Sequence, residues 1–386
     1  MASKALDRRE EAAQRLRPAL PQTGMRLAAR SSAHFTDPQA LMQWNALADR
    51  ASTPNPFYES WYLLPSLRAL DPHGDVTLLC LEADGVLSGL LPVRRETTYY
   101  SYPFPNLRGW AHANCFVGAP LVAKGYEVAF WRALFRWADE NAGAGLFFHL
   151  ANIPLDGSLY DGLREVLAEQ GRDAALVHSE ERAMLESDLT SQAYFEAALK
   201  AKRRSELERK RRRLSELGEI TITRQNDAAG IEEWSRRFLA LEQASWKGRA
   251  GSALACDQAN ETLFCEALSG AAARGRLERL ELSLDGRPVA MMTTFLAPPG
   301  AFGFKTAFDQ EFARFSPGVL LQRENLALLE RPDIDWCDSC AAEDHPMIDH
   351  FWRERRTIGR ISIAIGGRLR RAGFAAIARA EKGTRL

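Results

Sequence analysis

A serine, a proline and a glycine stand together at residues 316–318, directly before an apolar segment with helical spacing. Ser316 is a favourable N-cap and Pro317 a favourable first helical residue, so this pattern predicts that a helix begins here. Gly318 has no side chain to shield the next backbone N–H groups, and Arg314 adds a positive charge nearby. Exposed N–H groups at a helix start bind anions. The sequence therefore predicts an anion site, suited to a pyrophosphate, although a Ser-Pro-Gly helix start is also common without any ligand.

The surrounding elements would place this helix start beside a sheet. Alternating apolar and polar residues predict strands at 280–284 and 289–296, joined by the hairpin signal Asp285-Gly286, and an aromatic-rich strand at 301–308. A strand at 219–224 and helices at 228–246 and 257–273 are predicted upstream. A strand at 334–337, a helix at 346–356 and a strand at 361–365 are predicted downstream.

The first part of the chain shows a similar order of elements. A strand at 25–35, helices at 37–51 and 58–70, and a hairpin at 75–94 are predicted, with Asp37 as an N-cap. A helix at 124–143, strands at 145–150 and 174–184 and a helix at 159–169 follow. No residue-level repeat is visible, so a duplication is inferred from element order alone. Gly118-Ala119-Pro120-Leu121 is a poorer anion site than residues 316–318, which predicts a first half that keeps the packing and not the cofactor.

A long basic helix is predicted to connect the two halves. Residues 190–217 carry a narrow apolar stripe and end at Gly218, and nine Lys or Arg residues lie between Lys200 and Arg213. A solvated linking face and an anion or RNA surface are both compatible with this pattern.

Several motifs resemble those of the GNAT acyltransferases, and more specifically the cellulose-biosynthesis protein D-like acetyltransferase family. The resembling motifs are the segments at residues 55–61, 202–213, 242–247, 304–309 and 315–321. The resemblance implies an α/β (α+β) fold of two tandem GNAT-like units, each a mixed, mostly antiparallel sheet flanked by helices. It also implies acetyl-CoA or another acyl-CoA as cofactor. Residues 1–24 would be a disordered or frayed arm, 25–188 the N-terminal unit, 189–217 the connecting helix and 218–386 the C-terminal unit with the acyl-CoA site.

The resemblance directs attention to specific residues. Glu242 is the first candidate for the base that accepts a proton from an attacking amine, and Asp309 is the second. Lys305 would hold an acidic substrate or a phosphate if it faces a cleft. All eight tyrosines lie at or before Tyr194, so an acid for the leaving thiolate would be His345, Cys337, Cys340 or a tyrosine of the first half, unless no acid is used.

The remaining predicted contacts are with the ligands. The residues expected to bind the cofactor are Phe308, Arg314, Ser316, Gly318, Val319 and Leu320. The residues expected to bind the acceptor are Trp246, Lys247, Tyr100 and Tyr102, although the segment around Tyr100 also suits a loop that packs over the core.

Composition limits the alternatives. Acidic and basic residues number 50 each, so the chain as a whole does not attract nucleic acid or membranes. No apolar run is long enough to span a membrane, and the N-terminus has no secretory signal, which predicts a cytoplasmic location. The six cysteines suit small core residues, and the lone Cys337-x-x-Cys340 pattern is weak evidence for zinc, so no metal is predicted.

The sequence thus predicts an N-acyltransferase that moves an acetyl or other acyl group to the amine of a small molecule or sugar, with a link to polysaccharide or cell-envelope synthesis. Fem transferases, which the chain resembles distantly, use aminoacyl-tRNA as donor, so a tRNA-dependent transferase is the first alternative. A non-catalytic partner in polysaccharide export is the second. The acceptor, the acyl chain length and the oligomeric state are not encoded in these patterns.

Overall fold

The computed structural model describes residues 24–345, 347–381, 384 and 385. The predicted N-terminal arm, apart from Gly24, lies outside them. The strands are β1 (Met25–Arg30), β2 (Thr77–Ala83), β3 (Val86–Glu96), β4 (Asn106–Gly109), β5 (Leu121–Val122), β6 (Phe147–Pro154), β7 (Ala174–Leu185), β8 (Ile220–Gln225), β9 (Leu277–Leu284), β10 (Arg287–Ala297), β11 (Gly300–Phe308), β12 (Trp336–Asp338), β13 (Glu354–Ala364) and β14 (Thr384–Arg385).

The helices flank the sheet that these strands form. They are α1 (Pro38–Asp49), α2 (Ser60–Leu70), α3 (Glu127–Asn141), α4 (Gly157–Glu169), α5 (Ser191–Ala198), α6 (Ala201–Ser215), α7 (Ile231–Gln243), α8 (Trp246–Arg249), α9 (Gln258–Ala273), α10 (Pro317–Asn325) and α11 (Arg368–Ala380). No described helix is both long and apolar enough to cross a bilayer.

The sheet is mostly antiparallel, as predicted. Its strand order is β1-β2-β3-β4-β6-β13-β7-β12-β11-β10-β9-β8, with β5 paired to β3 and β14 to β7. Both predicted Asp-Gly hairpins form, with positive φ at Asp84, Gly85, Asp285 and Gly286, which suits the twist of two-residue hairpins. Two pairs of adjacent strands run parallel: β4 with β6, and β11 with β12.

One strand of the second half lies inside the first. β13 pairs with β6 on one side and β7 on the other, so Ile361 faces Leu150 and Leu176. The predicted helix at 346–356 is wrong: residues 347–351 form turns and β13 begins at Glu354, with Pro346 outside the described residues. Buried β-branched residues along the strand favour this pairing over a helix.

The predicted uninterrupted helix at 190–217 is also wrong, because α5 and α6 are separated at Leu199 and Lys200. Leu199 is extended and buried with Phe195 and Leu207. The Arg204 guanidinium donates to the carbonyls of Glu196 and Leu199, each at 2.6 Å. Burial of Leu199 and this cation at the end of α5 together account for the break.

Aromatic side chains join the two halves. The ring of Phe57 lies 6.2 Å from that of Phe295 and 6.1 Å from that of Phe302, in edge-on geometry. Phe295 and Phe304 stack at 4.4 Å. The main core therefore continues from the first half into the strands that carry the predicted site.

Candidate functional site

A cavity opens where β11 and β12 separate. Their parallel register runs from Gly300 opposite Trp336 to Phe302 opposite Asp338. Beyond this point residues 303–306 and 339–342 form facing walls of a cavity of about 600 Å³. At the apex the strands are close, because a Cβ added to Gly303 would lie 2.8 Å from the Ser339 carbonyl oxygen.

A β-bulge lies in the same wall. Thr293 is opposite Lys305 and Thr294 is opposite Gly303, so Phe304 has no partner in the register with β10. A bulge takes backbone groups out of the ladder and changes the direction of the side chains next to it. The Thr293 hydroxyl accepts a hydrogen bond of 3.1 Å from the Lys305 N–H.

The helix predicted from residues 316–318 begins at Pro317 and borders this cavity. Ser316 occupies the N-cap position at a φ of +54°, but its side chain does not cap the helix. Its carbonyl instead accepts from the N–H groups of Val319 and Leu320, at 3.0 and 3.1 Å. Met347 stands against the tip, since a Cβ on Gly318 would lie 2.6 Å from its sulfur.

The cation beside this helix start is not the predicted one. Lys210 of α6 donates from Nζ to the Ser316 hydroxyl at 2.9 Å and to Glu206 at 3.1 Å. Arg314 is exposed, with its guanidinium 4.7 Å from the centre of the Phe315 ring, and it does not line the cavity. The basic helix therefore supplies the positive charge that the sequence attributed to Arg314.

Lys305 lies in the cavity and is held by the first half. Its Nζ donates to Asn114 Oδ1 at 2.7 Å, and the Asn114 amide donates to Asn260 Oδ1 at 2.8 Å. Burial, followed by the charge of Lys247, lowers the pKa of Lys305 to about 8, against the opposing effect of Glu242. Burial and the Lys305 charge also lower the pKa of His112 to about 4, so this imidazole is neutral at pH 7.

Glu242 and Lys247 form a pair beside the cavity. Glu242 is buried, and its carboxylate accepts 2.8 Å hydrogen bonds from Lys247 Nζ and from the Leu254 backbone N–H. Lys247 Nζ also reaches the Thr306 carbonyl at 3.3 Å. Lys247 lines the cavity and Glu242 does not. Glu242 therefore contacts the side chain of Lys247 and not the cavity itself.

His345 and Cys340 both line the same cavity. Burial, with the nearby Lys247 charge, lowers the pKa of His345, which favours a neutral ring. Its Nδ1 accepts from the Met347 N–H at 3.4 Å, which leaves the proton on Nε2. Burial raises the pKa of the Cys340 thiol well above its usual range, so this group stays protonated.

The structure brings most, though not all, of the predicted site residues together. Those that line the cavity are Trp246, Lys247, Lys305, Phe308, Ser316, Gly318, Val319 and His345. Leu320 instead packs in the core with Phe312 and Leu321, and Asp309 binds Arg287 and the Glu311 N–H outside the cavity.

Tyr100 and Tyr102 do not line this cavity, so their contact with an acceptor stays a prediction. The Tyr100 hydroxyl accepts from Arg360 at 3.3 Å, and Tyr102 stacks on Phe104. Their aromatic and proline-rich segment therefore packs over the first half. Cys337 is also buried away from the cavity.

Sequence reasoning missed several side chains in or beside the cavity. They are Asn114, Lys210, Met292, Gln322, Asn325, Ser339, Met347 and Trp352. The helical spacing of Val319 and Gln322 was one available signal, because residues three apart lie next to each other on a helix surface. Within the described residues no three His, Cys, Asp or Glu side chains are grouped to hold a metal ion.

Residues 201–345 match the family model described as an acetyltransferase (GNAT) domain. The chain therefore carries a GNAT acetyltransferase domain, and the prediction of a GNAT-type acyltransferase is confirmed. The matched segment contains α6, the helix start and the cavity walls formed by β11 and the residues after β12. No curated protein sequence matches the chain.

Solved structures share the fold at low sequence identity. FemX is 10% identical with a TM-score of 0.55, over 83% of this chain and 95% of that chain. The C-terminal DUF2156 domain of a proposed lysylphosphatidylglycerol synthetase from Agrobacterium fabrum is 12% identical with a TM-score of 0.52, over 88% and 95%. A tandem GNAT protein from the clavulanic acid pathway is 16% identical with a TM-score of 0.48, over 89% and 100%. The predicted α/β fold, a mixed and mostly antiparallel sheet flanked by helices, is confirmed.

Proposed function

We propose that the cavity between β11 and β12 is an acyl-transfer site that takes an acyl-CoA thioester and an amine. The observation that carries the proposal is the separation of these two parallel strands directly beside a helix start that has no side-chain cap. Such a gap exposes backbone groups that can polarise a carbonyl, and the helix start can bind a phosphate.

The residues present fit a phosphorylated carrier. Among the described residues no Asp or Glu lines the cavity, whereas Lys247, Lys305 and His345 do. Phe308, Ser316, Gly318 and Val319 would hold the carrier at the helix start, with Lys210 beside them, and Met347 must shift from Gly318. When bound, acyl-CoA supplies the activated acyl group.

The chain's own groups have distinct proposed tasks during transfer. The cations of Lys305 and Lys247 stabilise negative charge that develops on the thioester oxygen and sulfur. The neutral His345 ring presents Nε2–H as a hydrogen-bond donor to the departing thiolate. As the amide bond forms and the thioester C–S bond breaks, the proton that the amine loses ends on this thiolate, so the products are an amide and a free thiol. Glu242 holds Lys247 in position, a role that its two occupied oxygens suit better than that of a base.

The charge of the cavity narrows the acceptor. A carboxylate would be needed to hold an ammonium group, and within the part of the chain that the structure describes none lines the walls. The acceptor therefore enters as a neutral amine, and the two lysines favour one that also carries a negative charge, such as an amino acid or an acidic amino sugar. A polyamine is disfavoured by like-charge repulsion.

Calorimetry with acetyl-CoA, followed by a thiol-release assay with single acceptors, tests this function. We expect saturable binding and faster thiol release with anionic amines than with spermidine. The absence of binding heat with acetyl- and longer acyl-CoA would contradict the proposal. Faster release with spermidine would contradict the assigned acceptor class alone. A link to polysaccharide synthesis rests on the sequence motifs alone. Thiol release with an acidic amino sugar as acceptor would support that link.

A tRNA-dependent transferase remains the second candidate, because α6 brings positive charge to the cavity. Lys210 contacts Ser316, and Arg209, Arg212 and Arg323 line a neighbouring groove of about 870 Å³. Reversal of Arg209 and Arg212 to Glu should abolish salt-sensitive tRNA binding if RNA is the donor. Arg236→Glu, on the exposed side of α7, is the matched control. Equal tRNA affinity in all three proteins excludes this candidate.

A further inference from the structure

The two lysines that line the cavity are held by different kinds of group. Lys247 Nζ forms a salt bridge of 2.8 Å with the Glu242 carboxylate. Lys305 Nζ donates at 2.7 Å to a neutral amide oxygen, that of Asn114, and makes no salt bridge within the described residues. Lys305 lines the cavity and keeps part of its surface exposed. It is therefore an amine that a cavity ligand can reach and that no carboxylate holds in its charged form.

The contact with Asn114 keeps this amine in place whether or not it is charged. The Asn114 amide nitrogen donates to Asn260 Oδ1 at 2.8 Å, which leaves its oxygen for Lys305. Asn260 is fixed in turn by a 2.9 Å hydrogen bond to Asp257. An amide oxygen accepts from –NH₃⁺ and from –NH₂ alike. Loss of a proton from Lys305 therefore does not require the side chain to move.

The surroundings of the Lys305 amine favour that loss. Its Nζ lies 5.4 and 5.6 Å from the ring centres of Phe116 and Phe304. The titratable groups near it are His112, Glu242, Lys247 and Cys340. Burial, followed by the charge of Lys247, lowers the pKa of Lys305 to about 8. At pH 7 about one such amine in ten is neutral, against fewer than about one in a thousand for an ordinary lysine.

We propose that Lys305 is a self-acylation site, whose amine attacks the carbonyl carbon of a thioester in the cavity when no acceptor amine is present. The C–N bond forms as the C–S bond breaks, and the proton that the amine loses ends on the departing sulfur. The products are an Nε-acyl-lysine and a free thiol. This inference rests on the proposed acyl-transfer function, which supplies the thioester.

The modification closes the site that produces it. An amide reacts with amines far more slowly than a thioester does, so the acyl group stays on Lys305. The positive charge assigned to stabilising the thioester oxygen is lost, and the added atoms occupy part of a cavity of about 600 Å³. A protein that meets the thioester without an acceptor therefore switches itself off.

Mass spectrometry of the full chain, incubated with acetyl-CoA and no acceptor, tests the proposal. We expect one added acetyl group, and peptide mapping should place it on Lys305. Lys305→Arg keeps a positive charge and should not gain this group. Lys124→Arg, at an exposed lysine outside the cavity, is the matched control and should be acetylated as the wild type is. A single group on Lys247, or groups spread over surface lysines, would overturn the assignment.

The pH dependence uses the wild-type protein and so does not depend on the folding of a variant. Only the neutral amine attacks, so acetylation of Lys305 should accelerate roughly tenfold per pH unit well below pH 8 and level off above it. Acetylation of an ordinary exposed lysine should keep accelerating to about pH 10. A rate at Lys305 that still rises steeply between pH 9 and pH 10 would contradict the proposal.

S-acetyl-N-acetylcysteamine, a thioester without phosphates, separates this inference from the function beneath it. If coenzyme A binds and acceptors drive thiol release, but neither thioester modifies Lys305, the inference is overturned and the acyl-CoA site stands. If coenzyme A does not bind, but this small thioester modifies Lys305 at least roughly tenfold faster than Lys124 at pH 7, the modification site stands and the acyl-CoA proposal fails. If coenzyme A does not bind and neither thioester modifies Lys305, both are overturned.

Discussion

The two parallel strand pairs lead to opposite results in the two halves. Each pairs the strand after a hairpin with a strand further along the chain, β4 with β6 and β11 with β12. Beyond β12 the gap is a cavity of about 600 Å³. Beside β6 the gap is filled by the chain itself, because the Gly118 N–H donates to Asn152 at 2.9 Å and a Cβ on Gly118 would lie 2.1 Å from the Ala151 oxygen.

A buried asparagine holds the filling segment in place. Asn55 donates to the carbonyls of Val117 and Ala119 and accepts from the Phe57 N–H. Asn114, at the start of the same segment, accepts a hydrogen bond from Lys305. The comparison teaches that one architecture can produce a packed core or a binding site, and that the packed half here completes the wall of the open half.

Asn55→Ala should give the largest effect, and on stability alone. The change leaves three buried backbone groups without partners, so we expect a loss of about 3 kcal/mol in the free energy of unfolding, measured by urea denaturation. Asn141→Ala, which removes one hydrogen bond, is the control. If coenzyme A affinity of the folded variant fell in parallel, the two gaps would not be functionally distinct.

Gly318→Glu should act on binding and not on the fold of the first half. The carboxylate would meet Met347 and repel a phosphate, so we expect coenzyme A affinity to fall about 100-fold by calorimetry. Gly373→Glu, in an open position on α11, should leave affinity unchanged. Gly118→Ala should instead lower the melting temperature and leave coenzyme A affinity unchanged. If Gly318→Glu lowered only the melting temperature and Gly118→Ala lowered only the affinity, the contrast between the open and the filled gap would be refuted.

Glu242→Gln should produce a smaller change in rate. The variant keeps an oxygen for the Leu254 N–H but loses the charge that holds Lys247, so we expect thiol release to slow about tenfold. Glu266→Gln, in an exposed pair with Arg68, is the control. A rate loss that shrinks toward low pH, where the carboxylate of the wild type would itself become protonated, would restore Glu242 as the general base.

Lys305 should make a contribution to stability that is seen only as a dependence on pH. Its pKa is about 8 in the fold against 10.5 as the reference, so between these values the unfolded chain binds more protons and stability rises with pH. The stability advantage of Lys305→Met over the wild type should therefore shrink from pH 8 to pH 10.5. Lys124→Met, at an exposed lysine, should show a flat difference, and a flat difference for Lys305 would contradict its burial.

Local patterns predicted the elements that local chemistry specifies. The Asp-Gly pairs gave both hairpins, and Pro317 marked the start of α10. The break at Leu199 escaped detection because the helical spacing of apolar residues continues across it. The Leu199 carbonyl is bonded by the Arg204 side chain, a contact that the spacing does not reveal.

Long-range pairing was outside the reach of these patterns. Lys305 and Asn114 are separated by 191 residues, so no spacing rule connects them. The place of β13 in the sheet is likewise set by which strands are adjacent in space, whereas periodicity reports only that a strand has a buried side. Lys210 belongs to a run of basic residues, and nothing in that run distinguishes the lysine that contacts Ser316 from its neighbours.

The insertion of β13 between β6 and β7 has a consequence for synthesis. While the ribosome is still adding the second half, β6 and β7 have been made but lack the strand that separates them. Their open edges are exposed to wrong partners until residues 354–364 emerge. The first half, although it comes first, completes its sheet last, and the newborn chain is most vulnerable to aggregation during that interval.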